Sequence, residues 1–249
     1  MQPGMPGAYP PPVPPVPPRS NTGKAIGIAL GAVILVGAIV TGGFVLLAGG
    51  GGGDDDAAAD GGKRYKLTTP ETIVTEYKKD GSADLPEFGS AEKADLRQMG
   101  VVNPQTLSGA YQTDVAPVVQ KRIRFTGTWG TIKRPQGVVD GMFASMNAAL
   151  KKEDGDKMEL VGTPRKVSPG GLDDDAVMKC QYARMVGSTA PGGKTITMQM
   201  CVWADHSTAA AVFSLDAAAV LAGKDVPLEE AAELTAKVRH DLRVEIPKK

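Results

Sequence analysis

Two cysteines are the residues whose type and spacing best support a defined chemistry. Cys180 and Cys201 flank the turn signal Ala190–Gly193, and their numbers sum to 381, as those of facing residues do in a hairpin centred between positions 190 and 191. If the strand-like runs 175–186 and 194–205 pair as an antiparallel hairpin about this turn, the two cysteines face each other at bridging distance. We therefore predict a Cys180–Cys201 disulfide. Two buried reduced thiols are one alternative, and a redox-active pair, which would lack the C-x-x-C motif, is another.

The chain also contains the residue types of a serine-hydrolase triad, in the consecutive residues Asp205, His206 and Ser207. Consecutive residues of a strand point to opposite faces, so these three cannot hydrogen-bond in series. No G-x-S-x-G nucleophile elbow accompanies them. We therefore predict no catalytic residue and a protein that is not an enzyme, with an envelope hydrolase of unfamiliar site as an alternative.

Metal, cofactor and nucleic-acid binding are not predicted. His206 and His240 lack the H-x-x-x-H spacing of a zinc site. Asp173–Asp175 follow a Pro-Gly-Gly turn and are expected to lie in a solvated loop. The 28 basic and 28 acidic side chains give zero formal net charge. Nucleic-acid binders usually carry a basic excess, so this balance argues against such a partner.

Methionines recur along the predicted elements of the second half of the chain. The flexible thioether adapts to irregular ligands, so a methionine-lined pocket for a small molecule or lipid is one interpretation, and core filling is the other. The methionines concerned are Met142, Met146, Met178, Met185, Met198 and Met200.

The elements that must position these residues follow a long uncharged segment. Residues 25–48 contain no charged side chain, and a helix of that length reaches about 36 Å, enough to cross a hydrocarbon core of about 30 Å. We predict a single transmembrane helix, with a cleaved signal peptide as the alternative. Arg19 and Lys24 precede the segment, so the N-terminus is expected in the cytoplasm and the C-terminus outside. Gly27 and Gly31 form a GxxxG pair, a weak signal for self-association.

Four regions result from this composition. Residues 1–24 form a Pro-rich disordered cytoplasmic tail, with nine prolines among the first 18 positions. Residues 25–48 form the span, and residues 49–62 form a flexible Gly/Asp linker. Residues 63–249 form an extracytoplasmic domain of ordinary single-domain length.

Periodicity within residues 63–249 predicts an α+β domain. A helix is expected to begin at Thr69-Pro70-Glu71 and to end by Gly81, and a second to be capped by Ser90. Further helices are expected after Pro135 and from Leu228, with short strands at 158–161 and 165–167 and longer strands through the rest. Because strands dominate between the helices without βαβ alternation, we predict a mainly antiparallel sheet with helices packed on one face.

The chain resembles a group of actinobacterial, Streptomyces-type, single-pass membrane proteins with a Pro-rich N-terminal tail and a C-terminal extracytoplasmic domain. The resemblance is carried by Tyr65–Thr72, Met178–Cys180 and Cys201–Thr208. It implies location and architecture, and no activity. The sequence thus predicts a plasma-membrane-anchored binding or interaction module of the cell envelope that binds an envelope partner or ligand. The alternative is a small-molecule or lipid carrier.

Overall fold

A computed structural model describes residues 63–83, 89–150, 157–186 and 196–247. The predicted tail, membrane span with its Gly27–Gly31 pair, and linker all lie outside these residues. Among the residues that are described, each helix is too short or too polar to cross a membrane.

The described residues form an α+β fold around a large antiparallel sheet, as predicted. Eight strands lie in the order β2-β3-β4-β5-β9-β8-β7-β6, and β1 pairs with β10 in a separate two-stranded sheet. The strands are β1 (Arg64–Leu67), β2 (Thr72–Ile73), β3 (Tyr77–Lys79), β4 (Val101–Thr113), β5 (Lys121–Ile132), β6 (Lys157–Val167), β7 (Val177–Val186), β8 (Ile196–Ala204), β9 (Thr208–Asp216) and β10 (Arg243–Ile246).

The helices within the described ranges are α1 (Ser90–Gln98), α2 (Pro135–Leu150), α3 (Ala217–Ala222) and α4 (Leu228–Leu242). The predictions of α1, α2 and α4 are confirmed, except that Gly89, not Ser90, is the N-cap of α1. Helix α3 was not predicted. Asp216 caps it through hydrogen bonds from the backbone N–H groups of Ala218 and Ala219, and Gly223 ends it in the left-handed region.

Helices pack on both faces of the sheet, so the prediction of one covered face is wrong. Helix α2 packs against the face that carries Met198 and Met200 of β8. Helix α4 packs against the opposite face, with Cys201 and Trp203 of the same strand. The physical reason is that β8 and β9 are mainly apolar and are buried at nearly every position, so both faces of these strands must be removed from water.

The predicted helix from Thr69 to Gly81 is also wrong. The chain instead forms the tight hairpin β2–β3, whose turn residues Val74 and Thr75 have φ values of +49° and +62°. Hydrogen bonding stabilises this turn, because the backbone N–H of Val74 donates to Asp241 Oδ2 at 2.6 Å. The hairpin buries Ile73 and Tyr77, which are register partners and therefore lie on the same side of it.

Both ends of the described chain meet at one end of the sheet. Arg64 of β1 pairs with Ile246 of β10. The Arg64 guanidinium also donates to Thr131 Oγ1, near the end of β5, at 3.3 Å.

Candidate ligand-binding cleft

Strand β6 contains a bulge that shapes the candidate site. Its pairing with β7 shifts register between Val161 and Arg165. Gly162 has φ +73°, a conformation that glycine adopts at little cost, and Pro164 has no N–H to offer to a ladder. The sequence analysis predicted two strands here, and the structure joins them as one bulged strand at the edge of the sheet.

A cleft of about 310 Å³ lies between this bulge and helix α2. Helix α2 forms one wall, and β6 and β7 form the other. The lining residues are Phe143, Ala144, Asn147, Leu160, Gly162, Thr163, Pro164 and Gln181. None of these side chains is ionisable, so the cleft is neutral and largely apolar, with three polar side chains.

Gln181 is the buried polar residue of the cleft, with 3% of its surface exposed. Its Nε2 donates to Val161 O at 3.3 Å and to Gly162 O at 2.8 Å, at the bulge. Its Oε1 is buried and has no hydrogen-bond partner in the structure. Both bonds of Nε2 go to carbonyl oxygens. If the amide nitrogen and oxygen were exchanged, the amide oxygen, which can only accept, would face these two acceptors without a donor between them. The amide orientation is therefore fixed, and the unpaired atom is an acceptor.

An ion pair bridges the two walls beside the cleft. Lys179 Nζ of β7 donates to Asp140 Oδ1 at 2.6 Å, and Asp140 lies one helical turn before Ala144. Burial alone would raise the pKa of Asp140, but hydrogen bonds from Lys179 and Gln136 hold that pKa below its usual value. Each of these two charges is thus satisfied by the other.

The structure places the predicted methionines in the packing layers instead of around the cleft. Met178, Met185, Met198 and Met200 are completely buried. Met142 and Met146 pack, partly buried, against the core on the α2 face. The cleft lining includes no methionine, so the methionines act here as core residues.

Cys180 and Cys201 face each other as predicted. They are register partners in the β7–β8 hairpin, and their sulfur atoms lie at the disulfide distance of 2.03 Å. Both residues belong to the core beneath α4. The pair therefore crosslinks the neighbouring strands β7 and β8 on the face opposite the cleft.

The three triad-like residues do not form a relay. Asp205 Oδ1 accepts hydrogen bonds from Ser207 N at 2.8 Å and from Ser207 Oγ at 3.0 Å. His206 Nδ1 lies 2.9 Å from Ile132 O, on the neighbouring strand. The Asp205 side chain also binds Thr208 through Oγ1 and the backbone N–H, so it organises the β8–β9 turn.

Asp205 belongs to a buried charge network at the end of α4. Arg239 donates to Asp205 at 2.9 Å and to Asp173 at 2.6 Å, and Arg243 donates to Asp173 at 2.8 Å while its guanidinium lies over the Tyr65 ring. Asp173 lies in an exposed loop, as predicted, and the prediction did not include its ion pairs with the two arginines. Burial would raise the pKa of Asp205, but the two guanidinium groups keep that pKa below its usual value.

Sequence analysis missed the cleft, although two signals for it were present. Gly162-Thr163-Pro164 interrupts two strand-like runs, and glycine next to proline in such a context is typical of a bulge. Gln181 interrupts the apolar alternation of a strand that is buried on both faces. Neither signal shows that α2 stands far enough from the bulge to leave a cleft.

The described residues contain no group of three or more histidine, cysteine, aspartate or glutamate residues suited to a metal ion. His240 is exposed near the end of α4, and its Nδ1 lies 3.1 Å from Asp241 Oδ1. Comparison of the chain with protein-family models, curated proteins and solved structures finds no match.

Proposed function

We propose that this chain is a membrane-anchored, extracytoplasmic ligand-binding module of the cell envelope that performs no catalysis. The observation that carries the proposal is the neutral cleft between α2 and the β6 bulge, with a volume of about 310 Å³. Ligand sites are typically concave and mainly apolar with a few polar groups, and start at about 300 Å³. The cleft has these properties at the lower end of that size range.

The membrane anchor rests on the uncharged segment 25–48 and on the basic residues Arg19 and Lys24 before it. The meeting of both described chain ends at one end of the sheet suits attachment through a single linker. A cysteine pair at disulfide distance suits an oxidising compartment outside the cytoplasm. These three features support the same topology independently.

The composition of the cleft favours binding over chemistry. Its eight lining residues include no histidine, cysteine, lysine or carboxylate that could serve as a general acid, base or activated nucleophile. Thr163 offers a hydroxyl, but no ionisable residue lines the cleft beside it to activate it. A hydrophobic wall with amide groups can hold a molecule without transforming it.

Blocking the cleft tests the binding function. Ala144→Trp places an indole in the lining, whereas Ala148→Trp adds the same group to an exposed position of α2 outside the lining. The full-length chain in lipid nanodiscs is screened against a library of small neutral fragments by ligand-observed NMR. We expect fragments that bind the wild type and Ala148→Trp and are lost in Ala144→Trp. Equal binding to both variants, or no binding fragment at all, contradicts the proposal.

The topology is tested separately with an external protease on intact cells from which the wall has been removed. We expect the protease to digest the domain of residues 63–249 while an epitope fused to residue 1 survives. Protection of the domain until the cells are lysed would contradict an extracytoplasmic location, and it would leave the result of the binding screen unaffected.

A further inference from the structure

We propose that the two-stranded sheet of β1 and β10 docks on the anionic lipid surface of the membrane in which the chain is anchored. The docking face is the outer face of this sheet, formed by Arg64, Lys66, Val244 and Ile246. The inference rests on the membrane anchor of the proposed function, and it concerns a surface separate from the cleft. Three observations carry it: exposed aliphatic side chains beside cations, cations without acidic partners, and a short connection to the predicted span.

The register of the two strands determines which side chains share the outer face. Arg64 pairs with Ile246, and Lys66 pairs with Val244. Facing residues of an antiparallel pair project to the same side, and alternate residues of one strand share a face. These four side chains therefore lie on one face. The other face is directed to the large sheet, because Leu67 is buried in the core beneath α4.

The outer face exposes aliphatic side chains next to its cations. Val244 is 44% exposed and Ile246 is 36% exposed. Val102 extends this surface, because it is 46% exposed and is the register partner of Thr131, whose hydroxyl accepts a hydrogen bond from Arg64. The same combination lets amphipathic helices lie on bilayers, where the apolar groups leave water and the cations stay at the level of the headgroups.

The cations of the outer face have no acidic partner. Neither Arg64 nor Lys66 forms a salt bridge within the part of the chain that the structure describes. Glu245, the acidic residue of these two strands, is paired with Tyr65 and projects to the other face, where Lys63 binds it at 3.2 Å. The outer face is therefore positively charged, and its guanidinium and ammonium groups match the phosphates of an anionic lipid surface.

The position of β1 in the sequence allows a weak interaction to suffice. The 14 residues 49–62 separate the predicted span from Lys63. A glycine-rich chain of this length has an end-to-end distance of about 20 Å. A tether of this kind holds a surface near its partner at an effective concentration of about 1 mM. An affinity too low to recruit a free protein can therefore keep an anchored domain on the membrane.

Quenching by brominated lipids tests the docking on the full-length chain in lipid nanodiscs. Val244→Trp places an indole on the outer face. Val119→Trp is the matched control, because Val119 is 49% exposed and precedes β5, at the opposite end of that strand from Thr131. The discs contain brominated phosphatidylcholine alone or with about one-third brominated phosphatidylglycerol. We expect quenching of the indole at position 244 in the anionic discs and none at position 119, after subtraction of the wild-type signal.

Charge variants locate the effect. An anionic surface attracts each nearby Lys or Arg about fivefold, equivalent to about 1 kcal/mol. In the Val244→Trp protein, Arg64→Gln with Lys66→Gln should therefore lower the ratio of docked to undocked domain about 25-fold in the anionic discs. Lys121→Gln with Lys224→Gln removes the same charge near the start of β5 and the end of α3, and it should leave the ratio unchanged.

Several results overturn the inference while the chain still elutes with the discs, so that the proposed anchor stands. These are quenching at position 244 that is absent or equal in neutral and anionic discs, and equal quenching at position 119. A shift of the Val244→Trp emission by soluble polyglutamate, without quenching by the lipids, would assign the face to an acidic polymer instead. A chain that does not elute with the discs overturns the anchor and this inference together. Ile246→Trp repeats the measurement on the same face.

Discussion

Arg239 Nη2 lies 2.9 Å from Asp205 Oδ2, and the two side chains are only 3% and 1% exposed. This contact joins the last turns of α4 to the β8–β9 turn, across the face of the sheet opposite the cleft. Asp205 is satisfied on its other side by Ser207 and Thr208. A fully paired buried charge of this kind adds little net stability by itself, but removing one partner leaves the other charge buried and uncompensated.

Asp205→Asn is therefore expected to destabilise the domain strongly. The substitution keeps the volume of the side chain but removes the negative charge that faces Arg239 and Arg243. We expect the free energy of unfolding to fall by about 3–5 kcal/mol, measured by urea denaturation. Asp174→Asn is the matched control at an exposed neighbouring loop position and should change stability by less than about 0.5 kcal/mol. Similar effects of the two substitutions would show that the network is not what holds α4 in place.

The same network predicts sensitivity to acid. The pKa values of Asp205 and Asp173 both lie below the usual value, because Arg239 and Arg243 outweigh the effect of burial. A carboxyl whose pKa is lower in the folded state contributes stability that is present above the unfolded pKa, about 3.9, and is lost as pH falls further. We expect the urea midpoint to drop steeply from about pH 4 downward. In Asp205→Asn this drop should be shallower, and an equally steep drop would assign the acid sensitivity to other carboxyl groups.

The β7–β8 hairpin could be predicted because the residues that specify its turn and register are close together in the sequence. The turn signal at Ala190–Gly193 places the centre of the pairing near positions 190 and 191, and an antiparallel register about that point brings Cys180 opposite Cys201. Helices α2 and α4 were predictable for a similar reason, since Pro135 and Leu228 begin segments with apolar residues three and four positions apart.

The features that could not be predicted depend on contacts with residues distant in the sequence. Thr69–Gly81 has a helical start signal, but its turn at Val74 is stabilised by Asp241, which lies at the far end of the sequence. The exposed loop position of Asp173 was predictable, but its ion pairs were not, because Arg239 of α4 and Arg243 of β10 come from the far end of the sequence. The cleft likewise depends on the separation of α2 from β6, which no local pattern encodes.

The cysteine pair predicts a defined dependence on reductant. Cys180 and Cys201 are 21 positions apart, and on the chain-entropy model a crosslink that closes a loop of this size stabilises by about 3 kcal/mol. We expect a reducing agent to lower the free energy of unfolding of the wild type by about that amount and the intact mass to rise by two protons. The double variant Cys180→Ala/Cys201→Ala should show neither change when the reducing agent is added. A wild type whose stability and mass do not change on reduction would indicate two free thiols.

Replacing glycine by alanine should have opposite effects at Gly162, in the bulge that shapes the cleft, and at Gly137, in helix α2. Gly162 has φ +73°, and an added Cβ would meet no atom within 4 Å, so any cost of Gly162→Ala is conformational. We expect this cost to be about 1–2 kcal/mol, because a side chain in the left-handed region crowds its own backbone. Gly137→Ala in helix α2, where the added Cβ would lie 3.8 Å from Arg134 Cβ, an ordinary contact, should instead stabilise by about 0.5–1 kcal/mol.

Asparagine at the bulge completes the test, because it tolerates the left-handed region better than alanine does. Gly162→Asn should recover part of the stability that Gly162→Ala loses, as measured by urea unfolding. The ligand-observed NMR screen of neutral fragments reports on the cleft in the same proteins. We expect binding to follow the order of stability, since Gln181 is held by the carbonyl groups of Val161 and Gly162. If alanine is tolerated at position 162 without loss of stability or binding, the left-handed bulge does not determine the shape of the cleft.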